Sequence, residues 1–235
     1  MTIKSEITAF VDSLYQSIGS DIVPVLNGEK IDGSQIGCPP ERFTYDNLIE
    51  PILSKLGYDE IVSEPYVGPG RQRADFWIRT DKVDIIGECK SPNNYSKINK
   101  QLAEYLGGMN SKLSYGMATD GLRWGVYYTR PRFAPPMQIC YKSLRPGIIQ
   151  YAFTENYIDE QKLEVSDSKF NYKSDVESLC KSVTQFHAQF NESELTRTIR
   201  EVRFDKITDY TEAYDVPRAN ADSRSMTDSN KDPQT

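Results

Sequence analysis

Arg73-Ala-Asp75-Phe-Trp77-Ile-Arg-Thr80, followed by Val83-Asp-Ile-Ile-Gly-Glu88-Cys-Lys90, is the stretch on which the reading of this chain turns. Both halves have the β-branched and aromatic content of strands, and Asp81-Lys82 separates them as the turn of a hairpin. Side chains alternate faces along a strand, so Glu88 and Lys90 project from one side. With the turn centred on Asp81-Lys82, Asp75 falls opposite Glu88, Arg73 opposite Lys90 and Trp77 opposite Ile86, all six on one face. A one-residue shift of the turn would break this pairing, and Asp-Lys is not a favoured two-residue turn.

Two carboxylates facing each other across a ladder have Cβ atoms about 5 Å apart and repel. A cation or a shared proton must compensate. A hard divalent ion such as Mg2+ takes oxygen ligands, commonly one or two carboxylates with waters and phosphate oxygens. Lys90, beside the pair, could orient or deprotonate a water, or balance charge on a developing phosphorane. The competing reading makes Asp75, Glu88 and Lys90 a surface ion-pair patch on a half-exposed strand.

Working outward, a strand over 60–67 precedes the hairpin across Gly68-Pro69-Gly70. A helix over 94–109 follows it, with Ile98, Leu102, Tyr105, Leu106 and Met109 on one face. Strands over 113–119 and 123–129 bracket Asp120-Gly121, a strong hairpin signal. Upstream, Ile3, Ile7, Phe10, Leu14 and Ile18 form the stripe of an amphipathic helix over 3–18. Residues 19–40 read as a long connection. A helix over 41–57 then buries Leu48, Ile49, Ile52, Leu53 and Leu56 and stops at Gly57, with Pro51 marking a kink or a break. Downstream lie short strands over 137–142 and 148–154, a helix over 174–200, and from about Asp215 a polar stretch with almost nothing to bury. The expectation is α/β with a mixed sheet, divided into an N-terminal helix and connection (1–40), a core (41–154), a C-terminal helical extension (155–214) and a disordered tail (215–235).

Composition narrows the chemistry. The chain has 235 residues, 38% of them hydrophobic, and a mean hydropathy of −0.59. No apolar run approaches the roughly 18 residues that span a bilayer, and the N-terminus lacks a signal-peptide core. Cys38, Cys89, Cys140 and Cys180 form no CxxC pair, which argues against a zinc ribbon or disulfide scaffold and suits a reducing cytoplasm. A single histidine, His187, excludes multi-histidine metal sites and makes a histidine-based triad a poor fit. Chemistry must run mainly on carboxylates, lysines and arginines. No P-loop pattern is present. The net charge of −6 hides an asymmetry: residues 1–70 carry −7, 71–150 carry +7 and 151–235 carry −6. The central basic block is what a polyanion site would need.

Asp75, a short gap, and Glu88-Cys89-Lys90 after the apolar run 83–87 resemble the D…(D/E)xK signature of the PD-(D/E)xK nucleases. The segment Glu41-Arg-Phe-Thr44-Tyr45-Asp-Asn-Leu48-Ile49-Glu-Pro51-Ile-Leu53, with Leu56-Gly57-Tyr58, is similar to the helix opening the nuclease domain of type I restriction R subunits. Gln101 and Tyr105 match the helix after their ExK strand, and Ala118-Thr119-Asp120-Gly121-Leu-Arg-Trp124 resembles their T(D/N)G…W hairpin. The resemblance spans roughly 41–129. It implies a restriction-endonuclease-like fold, a mixed central sheet flanked by helices, here with an added C-terminal helix and tail. It further implies a Mg2+-dependent DNA endonuclease, Mn2+ substituting, in a restriction, defence or mobile-element setting, with RNA as the other possible substrate.

By that resemblance Asp75, Glu88 and the Cys89 backbone carbonyl bind the metal, Glu41 joins them directly or through water, and Lys90 acts on the attacking water. Gln101 contacts substrate backbone or active-site water. Helical spacing puts Lys97, Gln101 and Tyr105 on one ridge, and the nucleic-acid contacts expected are Arg71, Arg73, Lys97 and Tyr105. Tyr45 departs from the family helix, which often carries Arg there; this removes the basis for a phosphate contact at that position. The R subunits also carry motor domains, for which 235 residues leave no room. The alternative is a catalytically silent nuclease-fold module that binds nucleic acid or a protein partner. Homodimerisation or a protein partner through the acidic N- or C-terminal regions fits either reading.

Overall fold

The computed structural model describes residues 2–58, 60–67, 73–80, 83–108, 114–129, 136–159 and 178–202. The chain divides into two compact units, Met1–Arg197 and Thr198–Thr235; within the second, residues 198–202 are described and are helical. The expected tail beyond 215 lies outside the described residues.

The first unit is built on a six-stranded sheet in sequential order: β1 (Glu60–Ser63), β2 (Phe76–Arg79), β3 (Asp84–Cys89), β4 (Ser114–Thr119), β5 (Arg123–Thr129) and β6 (Met137–Ser143). All neighbours are antiparallel except β3 and β4, which run parallel. A parallel pair needs a crossover, and the helix over Ile98–Gly108 supplies it between β3 and β4. The sheet is therefore mixed, as the sequence order implied. The β2–β3 register pairs Trp77 with Ile86 and Phe76 with Gly87, the alignment expected for a turn centred on 81–82, but the ladder ends there: the expected Asp75–Glu88 and Arg73–Lys90 pairs are replaced by an Asp75 N–H bond to Gly87 O and a bridge of Arg73 to Tyr66.

Upstream lie α1 (Ile3–Ile18), α2 (Ile22–Asn27), α3 (Gly33–Ile36) and α4 (Pro40–Thr44), then a π-helical turn over Tyr45–Ile49 and α5 (Glu50–Lys55). All five apolar residues of the predicted α1 stripe are buried, and Thr2 with Ser5 closes a capping box at its start. The expected kink at Pro51 takes a specific form. Proline cannot donate a backbone hydrogen bond, and the preceding turn loosens to the π pattern, the Glu50 N–H bonding Tyr45 O. The expected connection over 19–40 instead holds two short helices, α2 buried through Ile22, Val25 and Leu26.

The crossover helix, here α6 (Ile98–Gly108), covers one face of the sheet. Tyr105 packs with Ile86 and Ala74, and Leu102 crosses Gly116 so closely that a Cβ there would meet its side chain at 2.7 Å. On the other face Phe76 lies over Gly87, where a Cβ would come within 2.0 Å of the ring, and Tyr45 packs against Phe76 with ring centroids 6.2 Å apart.

Downstream, α7 (Arg145–Thr154) replaces the strand expected over 148–154. A short β-branched and aromatic run reads alike as strand or buried helix, but Pro146 sits in the first helical turn, where its missing N–H costs nothing. The expected helix over 174–200 appears as α8 (Leu179–Phe190) and a second helical stretch from 192. Asn191 interrupts it: its backbone is extended, and its side chain accepts from Glu194 N–H at 3.1 Å, capping the next helix. Phe186 packs edge-on against buried Trp124, with centroids 5.2 Å apart. Among the described residues no helix is long and apolar enough to cross a membrane.

Candidate functional site

The site forms where the β2–β3 ladder runs out. Past the Phe76–Gly87 pair the Asp75 N–H donates to Gly87 O at 3.1 Å. The Cys89 N–H is then taken by Asp75 Oδ2 at 2.6 Å. A side-chain oxygen thus stands in for a ladder carbonyl, which fixes the Asp75 carboxylate at the end of β3. On the other side β3 continues against β4, the Lys90 N–H donating to Thr119 O at 3.0 Å. Glu88 follows Ile86 on the α6 face, and Glu41 reaches the same point from the first turn of α4.

Lys90 Nζ is the centre. It donates to Glu88 Oε1 at 2.6 Å, to the Cys89 carbonyl at 2.8 Å and to Glu41 Oε1 at 3.4 Å, with Asp75 Oδ2 at 3.8 Å. Three segments, α4, the residue leading into β2 and β3 itself, thus deliver three carboxylates to one ammonium. Glu88 is fully buried, 0% exposed, whereas Lys90 keeps 18% and Glu41 43% of its side chain in solvent. In place of the surface patch of the competing reading stands a partly buried cluster, open to solvent on the Glu41 side.

Charge in the cluster is unbalanced. Burial first, and the Asp75 charge second, push the Glu88 carboxyl up to about 7 despite the Lys90 hydrogen bond. Burial also raises Glu41, outweighing the pull of Lys90. Burial opposes the Lys90 charge, but the bond to Glu88 and the surrounding carboxylates win and hold the ammonium above its ordinary range. Burial, with Asp75 and Glu41, keeps the Cys89 thiol protonated. Glu88 Oε2 is buried with no hydrogen-bond partner, and such an atom is costly unless something pairs with it.

These residues fit a hard divalent ion. Their candidate ligand atoms are carboxylate and carbonyl oxygens, and Glu88 Oε2 is buried and unpaired, but among the described residues the atoms that gather within 4.8 Å of one another belong to Glu41, Asp75 and Cys89, without Glu88. Sequence reasoning did not find the Cys89 thiol, whose sulfur lies within 4.8 Å of ligand oxygens of Glu41 and Asp75. Strand alternation puts it on the face opposite Glu88, and no signal in the sequence places Glu41 within reach of it. Held as a thiol, it adds little to a Mg2+ ligand set.

Of the other expected residues, Tyr105 lies close enough to feel the charges of Glu88, Asp75 and Lys90. Tyr105 is buried, 5% exposed; its hydroxyl donates to Arg73 O at 2.7 Å and accepts from Gln101 Nε2 at 2.8 Å. It braces the segment that leads into β2 and carries Asp75. Gln101 is held by that hydroxyl. Arg73 is half exposed, its guanidinium bonded to Glu64 and to the Tyr66 hydroxyl and lying 4.6 Å from the Tyr66 ring centroid. Arg71 lies outside the described residues, as does the side chain of Lys97.

The Asp120-Gly121 turn backs the site. Asp120 Oδ1 accepts from Leu122 and Arg123 N–H at 3.1 and 2.8 Å, and Oδ2 from Asn93 N–H at 3.1 Å. Gly121 adopts a φ of 79°, and Trp124 Nε1 donates to its carbonyl at 3.1 Å. Asn93 also donates to Val25 O and Glu29 O and accepts from Arg145. The loop after Lys90 is thereby anchored to α2 and to α7. In comparisons with protein-family models, curated proteins and solved structures, nothing matches this chain.

Proposed function

We propose that this chain is a divalent-metal-dependent nuclease of the restriction-endonuclease-like fold, hydrolysing DNA phosphodiester bonds in a restriction, defence or mobile-element setting. The observation that carries this reading is the meeting of Glu41, Asp75 and Glu88, from three separate segments, around Lys90 with Glu88 wholly buried. The mixed sheet and the placement of the resembling motifs on helix, strands and hairpin support the fold. The +7 block over 71–150 supports a polyanionic substrate.

Asp75, Glu88 and the Cys89 carbonyl would hold Mg2+, or Mn2+ in its place, and Glu41 would join them directly or through water. The bound ion would supply charge to the scissile phosphate and make water a better nucleophile. Asp75 is pre-positioned by the Cys89 N–H, so little ordering is left to do when a ligand arrives. Lys90, held protonated by its neighbours, is suited to stabilising negative charge that develops on the phosphate and to orienting the attacking water. It is poorly suited to removing a proton.

One observation favours a second reading, an inert nuclease-fold binding module: Lys90 alone already bridges the three carboxylates. Incubation with supercoiled, linear and single-stranded DNA in Mg2+, Mn2+ or EDTA separates the two. The nuclease reading requires cleavage that EDTA stops and that Asp75→Ala and Lys90→Ala abolish while circular dichroism stays unchanged. Cleavage by both variants at the wild-type rate refutes the site. Salt-sensitive DNA retention without cleavage in either metal supports the binding module.

A further inference from the structure

We propose that Lys90 is the resident cation of this cradle and is displaced from it when a divalent ion binds, so that metal entry is also the step that frees the lysine for substrate. The inference rests on the metal-centre reading above and concerns its regulation. The oxygens expected to ligate the ion are the ones the ammonium now engages: Glu88 Oε1 at 2.6 Å, Cys89 O at 2.8 Å, Glu41 Oε1 at 3.4 Å and Asp75 Oδ2 at 3.8 Å. An ion held by these atoms competes with Nζ for their lone pairs, and two cations crowded on one set of donors repel.

The ammonium also satisfies the cradle incompletely. Glu88 Oε2 stays buried and unpaired, and three carboxylates meet a single positive charge. A lysine offers three donors on a flexible stem and can leave by rotating that stem, whereas Glu88 has no freedom of this kind inside the sheet. The 18% of Lys90 and 43% of Glu41 left in solvent mark the side on which exchange can occur. In the apo state the arrangement silences both partners: the carboxylates are masked, and the lysine is withheld from any bound phosphate.

The test is calorimetric titration of the full chain with Mn2+ alone, for wild type, Lys90→Gln and Lys90→Met. Both variants should bind at least tenfold more tightly than wild type. Equal or weaker binding overturns the exchange while leaving the metal centre standing. Absence of Mn2+ binding in wild type and both variants removes the metal centre, and the exchange with it. Loss of one positive charge would tighten binding even without displacement, so a second measurement uses wild type only. Reductive methylation of Lys90, followed by mass spectrometry, should run severalfold faster with Mn2+ bound than in EDTA. An unchanged rate with Mn2+ bound overturns the proposal, whatever the variants do.

Discussion

Replacing Glu88 by Gln keeps the shape of the side chain and removes the charge, which makes it a direct probe of the cluster's electrostatics. The carboxyl is pushed from an ordinary 4.5 up to about 7, burial being the leading cause. Its ionised form is therefore penalised in the folded state relative to the unfolded chain. At about 1.4 kcal/mol per tenfold the penalty comes to about 3 kcal/mol. The sign follows from proton binding: between 4.5 and 7 the folded protein holds the proton that the unfolded chain has released, so stability falls as pH rises through that window. Below it the penalty is absent; above it the penalty is complete. In EDTA, urea unfolding at pH 5 should find wild type and Glu88→Gln within about 1 kcal/mol, since both side chains are neutral in the folded protein there. At pH 8 the variant should be the more stable by about 3 kcal/mol, roughly 6–12 °C in Tm for a unit of this size. Saturating Mn2+ should close most of that gap by stabilising wild type alone, about 2.7 kcal/mol at a hundredfold excess over Kd. A variant less stable than wild type by the same margin at pH 5 and pH 8 would refute the reasoning. Glu88 would then be an ordinary stabilising partner of Lys90.

Gly87→Ala places a methyl group 2.0 Å from the Phe76 ring in the central hairpin, and should cost about 1–3 kcal/mol by overpacking. Chemical denaturation of Gly87→Ala/Phe76→Leu should show less than the sum of the two single losses, because Leu vacates the contested space. Asp120→Ala strips the acceptors from three backbone N–H groups and should cost about 3 kcal/mol, at roughly 1 kcal/mol for each bond. Asp120→Asn keeps Oδ1 and should lose less by thermal denaturation.

The features legible in the sequence are those set by local periodicity. The α1 stripe, the Asp120-Gly121 hairpin and the Trp77–Ile86 register all follow from spacing within one or two elements. What escaped depends on where distant elements land. Residues 148–154 have strand-like content, yet Pro146 and burial of Ile148, Ile149 and Ala152 make them helix. The 19–40 segment looks polar, yet Ile22, Val25 and Leu26 are buried. At the site, the shared face of Glu88 and Lys90 could be read from alternation. The approach of Glu41 to Lys90, across 49 positions of sequence, could be expected only through the resemblance, and the Cys89 thiol could not be expected at all. The helical spacing of Tyr105 beside Gln101 was legible, but the bond of its hydroxyl to the Arg73 carbonyl, 32 positions away, was not.

The full burial of Glu88 argues about purpose. A carboxylate inside a central strand is expensive, and an ion pair with a lysine seldom repays the desolvation of both groups. Its neighbours on β3, Ile85, Ile86 and Cys89, are buried without such expense, so an apolar side chain at position 88 would serve the sheet at least as well. The pairing is also incomplete, since one oxygen of Glu88 has no partner and Lys90 divides its contacts among three carboxylates. A purely structural ion pair would gain stability by satisfying both oxygens. Local rules of sequence and packing are broken most often where function demands it. Here the breach coincides with the point where the ladder gives way to an Asp75 side chain and where α4 delivers a third carboxylate. On the proposed metal-centre reading, a cluster with an unpaired buried oxygen and one movable cation gains most by exchanging that cation for a more highly charged ion.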